Sequence, residues 1–284
     1  MTDSATNKQG TIGVFDSGTG GLTVLVELMR ILPDERFVFF GDTAHCPFGK
    51  RSADEIRSFA AAASEFFLSQ GAKMIVLACN YASVVARESL RQRYPVPFVA
   101  VVPAVKPASQ VTKTGKVGVM ATDAVSRNPL FLALVEELRS GVETITIGCT
   151  RLVEHCEAGQ FNGPEVEATL HGYLDPLLAQ GVDTLVLGCT HFPLLRLAIE
   201  QVAGPGVTVI DSGVAVARQA RHLLEERQML REGSAPLSDE ARLQVYCSGD
   251  PLAFSAVAST ILGHPIHAVI RKPTTKPRIA PTST

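Results

Sequence analysis

Two cysteines sit at equivalent places in two similar stretches of the chain. Residues 71–83 read GAKMIVLACNYAS and residues 181–193 read GVDTLVLGCTHFP. Each has a glycine, a short apolar run of the kind that makes a buried strand, a small residue, the cysteine, a polar residue and the start of a helix. Cys79 and Cys189 thus fall where a strand hands over to a helix, and the positive helix end is expected to bring a thiol's pKa down toward neutral. Two thiols facing each other suit a reaction that removes a proton from one face of a tetrahedral carbon and returns it to the other. One sulfur acts as thiolate base and the other as thiol acid. The α-proton of an amino acid is far less acidic than a thiol, so the site must also stabilise a carbanion, with backbone N–H groups aimed at the substrate carboxylate. Asp16, at the end of the first apolar run, and His191, two residues past Cys189, are placed to orient the two sulfurs. Each also fits a plainer role, a turn or cap for Asp16 and a helix-start side chain for His191. Cys46, Cys149, Cys156 and Cys247 lack such pairing and read as structural.

The elements that carry these residues are themselves repeated. TIGVFDS (11–17) matches KVGVMAT (116–122), and GDT (41–43) matches GCT (148–150). Ile12 against Val117, Gly41 against Gly148 and Cys79 against Cys189 give an offset that drifts only from 105 to 110. Strands alternate with helices, which makes parallel sheets with right-handed crossovers. The pattern predicts two similar doubly wound α/β domains related by a pseudo-twofold. The first domain comprises 11–104 and 212–270 and the second 105–211, with flexible tails at 1–10 and 271–284. A helix is expected through 125–139, a long one from 213 to about 231, and a loop over REGSAPLSDEA (231–241). Ligands of such sheets bind beyond the carboxyl ends of the strands, where both cysteines, Asp16, Ser17 and the loop 43–49 gather in one cleft. The glycine-rich turn DSGTGG (16–21) favours the approach of an anion to a helix N-terminus.

Composition narrows the partner. With 26 basic and 28 acidic side chains and a formal charge of -2, the chain offers no general attraction to nucleic acid or to an anionic membrane. A small molecule is the expected ligand. The polar start MTDSATNKQG is not a secretory signal, and no apolar run reaches the roughly 20 residues that span a bilayer. The cysteines are expected to stay reduced, in the cytoplasm.

GVFDSGTGGLTV, GDTAHCPFGKRS, the ACN segment, LGCTHFPLL and VIDSG, in this order, resemble the glutamate racemases of the cofactor-independent aspartate/glutamate racemase superfamily over most of residues 11–270. The resemblance implies interconversion of L- and D-glutamate, with D-glutamate supplied to peptidoglycan, no cofactor or metal, and commonly a homodimer. It makes Cys79 and Cys189 the acid and base, assisted by Asp16, His191 and Glu157. It places Ser17, Phe48, Gly49, Asn80, Tyr81 and Thr190 against the substrate, together with Asp16 and His191. Two positions depart from the family pattern: Phe48 replaces a tyrosine, and Tyr81 stands where a threonine is usual. The larger phenol narrows the expected pocket, which leaves a shorter acid such as aspartate as the alternative substrate.

Other chemistries compete for the same residues. Gly18, Gly20 and Asp42 imitate a dinucleotide fingerprint whose third glycine is Thr23 instead. A thiol hydrolase would use one cysteine with His191 and Asn80, and a metal site would use Cys189 and His191 without any CxxC or HExxH support. For pyridoxal phosphate only Lys50 and Lys73 are near, neither in a recognisable cofactor loop.

Overall fold

A computed structural model describes residues 7–232 and 238–271. Two parallel sheets carry the chain. The strands are β1 (Thr11–Asp16), β2 (Phe37–Gly41), β3 (Ala72–Leu77), β4 (Phe98–Ala100), β5 (Lys116–Ala121), β6 (Glu143–Gly148), β7 (Thr184–Leu187), β8 (Thr208–Ile210), β9 (Leu243–Cys247) and β10 (Val269–Ile270). The first sheet is ordered β10-β9-β2-β1-β3-β4 and the second β6-β5-β7-β8. The order β2-β1-β3-β4 recurs strand for strand as β6-β5-β7-β8, so the duplication read from sequence is a duplication of topology.

Helices cover both faces of the first sheet, which is why β3 is buried at every position and reads as an unbroken apolar run. Ile12, Val14, Met74 and Val76 face the helices Leu22–Ile31 and Gly213–Glu226. Phe15, Ile75 and Leu77 face Ala53–Ser69 and Asn80–Arg93. Gly13 lets helix Ala53–Ser69 pack closely, since a Cβ there would come within 2.5 Å of the Phe67 ring. Its counterpart Gly118 does the same for Leu185 and Leu177. Helix Ala53–Ser69 starts at a reciprocal cap in which the Ser52 hydroxyl accepts from Glu55 N–H and the Glu55 carboxylate accepts from Ser52 N–H.

The chain crosses between the sheets twice, after β4 and after β8, and the crossings touch: the Ser212 hydroxyl donates to the Val102 carbonyl at 2.6 Å. The expected helix through 125–139 is two helices, Asp123–Ser126 and Pro129–Leu138. The Asn128 side chain caps the second, and Pro129 cannot supply the N–H that a continuous helix needs. Helix Val105–Val111 and the short turn of helix Asp239–Arg242 were not expected, and Gly213–Glu226 ends earlier than expected. Of the expected N-terminal tail, residues 1–6 lie outside the described residues, as do 272–284 of the C-terminal tail and 233–237 of the loop. The Lys8 carbonyl, by contrast, accepts from buried Lys73 at 2.9 Å.

Candidate active site

Cys79 follows β3 and Cys189 follows β7, and both line one small cavity of about 30 Å³ between the sheets, room for about two waters. Ser17, Phe48, Gly49, Asn80, Tyr81, Thr190 and His191 line it as well. Asp16 and Glu157 stand behind this lining and hold it. Cys79 caps the helix Asn80–Arg93, and its sulfur lies 3.6 Å from the Ser17 hydroxyl. On the other side the Cys189 sulfur lies 3.6 Å from His191 Nδ1, while His191 Nε2 meets a Glu157 oxygen at 2.6 Å.

The electrostatics depart from the expected lowering at the helix end. Burial pushes the Cys79 thiol up to about 12, and the Asp16 charge adds to this. The Ala82 N–H and the Ser17 hydroxyl pull the other way without prevailing. A helix end lowers a thiol's pKa only where desolvation is modest, and Cys79 is buried. Burial likewise raises the Asp16 carboxyl, against the opposing pull of His191 and of the Gly18 and Gly21 N–H groups. For His191, burial disfavours the imidazolium, but the Cys189 sulfur and the Glu157 carboxylate outweigh it and hold its pKa well above the usual range. Glu157 is held low: burial opposes its charge, and His191 together with the Thr19 N–H and hydroxyl overcomes that.

Asp16 acts on the Cys79 sulfur through its charge, and among the described residues no hydrogen bond joins the two. Its carboxylate accepts from Gly18 N–H at 3.0 Å and from the Thr190 hydroxyl at 3.2 Å, so it ties the first turn to the segment after β7. Thr23, in the would-be third glycine position, donates to the Thr190 carbonyl at 3.0 Å. Thr19 N–H and hydroxyl reach a Glu157 oxygen at 2.7 and 3.0 Å. The glycines of this turn therefore serve a different approach from the anion foreseen. A Cβ on Gly18 would collide with the Glu157 carboxylate, and one on Gly20 would stand 2.6 Å from His191 Nδ1. Side chains from the other lobe fill the space.

Among the cavity's polar groups, Asn80 Nδ2 is buried and has no hydrogen-bond partner among the described residues, a donor left for a ligand. The Phe48 ring packs 6.1 Å from Phe15 and 5.8 Å from Phe59, so its missing hydroxyl costs the core nothing. Tyr81 wedges between the lobes, touching the apolar clusters of both. Thr122, Val125, Val153 and Gly188 also line the cavity and were missed, and so does Cys46, which the sequence read as structural. Thr122 was recoverable, because KVGVMAT puts it opposite Ser17.

The dinucleotide and pyridoxal phosphate readings each lose a residue they need. Asp42 is fully buried, and its carboxylate is taken by His45 at 2.8 Å and the Ser248 hydroxyl at 2.6 Å, leaving nothing for a ribose. Lys73 sits at the opposite end of β3 in a buried ion pair with Glu35 at 2.6 Å. All six cysteines are unpaired. Among the described residues no helix is long and apolar enough to cross a membrane.

Fold and cavity together define a two-lobed parallel α/β protein in which each lobe contributes one thiol to a shared cavity. Residues 20–220 match the family model described as Asp/Glu/Hydantoin racemase. The chain is 43% identical to glutamate racemase of Ectopseudomonas mendocina over 90% of this chain and 95% of that one. It superposes on the crystal structure of glutamate racemase isoform RacE1 from Bacillus anthracis with a TM-score of 0.85 at 31% identity, covering 94% and 98% of the two chains. The Francisella tularensis glutamate racemase in complex with D-glutamate gives 0.81 at 30% identity, covering 95% and 100%. The chain belongs to the Asp/Glu/hydantoin racemase family.

Proposed function

We propose that this chain interconverts L- and D-glutamate by proton transfer at Cα between two cysteines, without a cofactor, and supplies D-glutamate for peptidoglycan. The observation that carries the reading is the pairing of Cys79 and Cys189, from equivalent ends of two repeated sheets, on one cavity. The relative solved with D-glutamate supports glutamate as the substrate.

In this reading the resting enzyme holds unlike partners. Cys79 is a buried thiol and serves as acid. Cys189 faces an imidazolium that Glu157 holds charged, and serves as base. One turnover moves the Cα proton to Cys189 while Cys79 delivers its own to the opposite face. The reverse turnover starts from the exchanged protonation state. The carboxylate of the substrate takes the Asn80 amide and the N–H groups at the start of its helix, and Ser17 and Thr190 hold the rest. A cavity with room for about two waters must widen to admit an amino acid. A homodimer in the cytoplasm belongs to the same reading, and sedimentation of the purified chain tests the dimer.

The deciding experiment is incubation of each glutamate enantiomer in D₂O with no added cofactor. Conversion to the other enantiomer with one deuterium at Cα supports the reading. Retention of the Cα proton, or faster exchange with aspartate than with glutamate, overturns the reaction class or the substrate respectively.

A further inference from the structure

Cys46, on the loop after β2, was set aside as structural, yet its sulfur lies where the Glu157–His191 pair meets the first turn. One ligand atom from each of Cys46, Glu157 and His191 lies within 4.8 Å of the others. Gly18 permits this crowding: a Cβ there would collide with the Glu157 carboxylate and approach the Cys46 sulfur to 3.2 Å. Sulfur, imidazole nitrogen and carboxylate oxygen are the donor set of a thiophilic divalent cation, for which metal bonds of about 2.0–2.3 Å and a tetrahedral arrangement with water in the fourth place are usual. The imidazole is already oriented for it, since Nδ1 faces the Cys189 sulfur and Nε2 turns toward the trio.

We propose that Cys46, Glu157 and His191 form an inhibitory site for a thiophilic divalent cation such as Zn²⁺, which clamps the two lobes together. Cys46 belongs to the first lobe and the other two ligands to the second, so one cation bridges the cleft that substrate must open. Binding displaces the Cys46 thiol proton and the proton held between His191 and Glu157, both of which leave to solvent. Two positive charges replace two, and the formal charge of the trio does not change. The bound cation also takes from His191 the proton that faces Glu157, and so removes the imidazolium on which the proposed role of Cys189 depends.

The test uses the full chain with zinc chloride and cobalt(II) chloride as probes. Zinc inhibition is titrated in the wild type, Cys46→Ser and Cys46→Ala, each against its own metal-free activity, and at least a tenfold loss of sensitivity is expected in both variants. Cobalt absorption reports binding independently of racemisation. A thiolate charge-transfer band is expected in the wild type, retained in Cys189→Ser and Cys79→Ser, and lost in Cys46→Ser. Unchanged zinc sensitivity at Cys46→Ser, absence of the band from the wild type, or its loss only with Cys79 or Cys189, overturns the site. If the deuterium experiment fails while the band behaves as stated, the metal site stands and the proposed reaction falls.

Discussion

Gly20 and His191 are in contact across the cleft, with the imidazole occupying the space a side chain at position 20 would need, 2.6 Å from Nδ1. The ring is 2% exposed and can yield only toward the cavity it lines. Gly20→Ala is expected to displace it from Cys189 and lower kcat/KM by about 10²-fold, the scale of a lost acid–base helper. The turn itself tolerates alanine, so the melting temperature should move by only a few degrees. An active Gly20→Ala enzyme would remove His191 from the mechanism.

Cys79→Ser and Cys189→Ser should each reduce racemisation by about 10³-fold or more, because an alcohol is a poor stand-in for either the thiolate or the thiol. Cys247→Ser, in the core at the end of β9, should leave the rate within a factor of about two. Circular dichroism of the glutamate pool from both enantiomers measures this. Full activity in either of the first two variants would end the two-base assignment.

The sign of the pH response follows from the Glu157–His191 pair. Burial alone would depress His191, and the Cys189 sulfur and the Glu157 carboxylate raise it. Glu157→Gln removes the carboxylate, so His191 loses its proton at lower pH, and the basic limb of kcat/KM should move down by a unit or more. Since the equilibrium between enantiomers is fixed, kcat/KM must fall equally in both directions. A variant whose basic limb stays in place would show that His191 titration does not set it.

Tyr81 touches apolar clusters of both lobes while lining the cavity. Tyr81→Thr is expected to raise kcat for glutamate severalfold and the preference for glutamate over aspartate with it. The lost packing should cost about 1–2 kcal/mol of stability, read by chemical denaturation. No gain in turnover would mean that the phenol is part of a productive pocket.

Lys73→Met tests the other end of β3. Glu35, 1% exposed, pairs there with Lys73 at 2.6 Å, and its other oxygen accepts from Arg231 N–H at 2.8 Å. Removing the ammonium leaves a buried carboxylate unpaired, which costs about 3–5 kcal/mol. Activity per folded molecule should not change.

Much of this was legible because apolar runs and cysteines repeat at a nearly constant offset. The shared strand order and the shared cavity both follow from GAKMIVLACN and GVDTLVLGCT. Helix Val105–Val111 escaped because VKPASQV carries a proline and little apolar periodicity. The high pKa of Cys79 was unreadable, because the desolvation that causes it is a product of tertiary packing. The reason for Gly18 and Gly20 escaped similarly: the neighbours that need the space are Glu157 and His191, well over a hundred residues away in sequence.

The hydrogen bond from Ser212 to Val102 puts the two chain crossings side by side. The lobe between them is therefore spliced into its host at one spot, as a long loop is. Bringing the ends of so many residues together costs roughly 4 kcal/mol of closure entropy, which the lobe's own core must supply. A graft that exchanges this insert between relatives needs only one narrow seam.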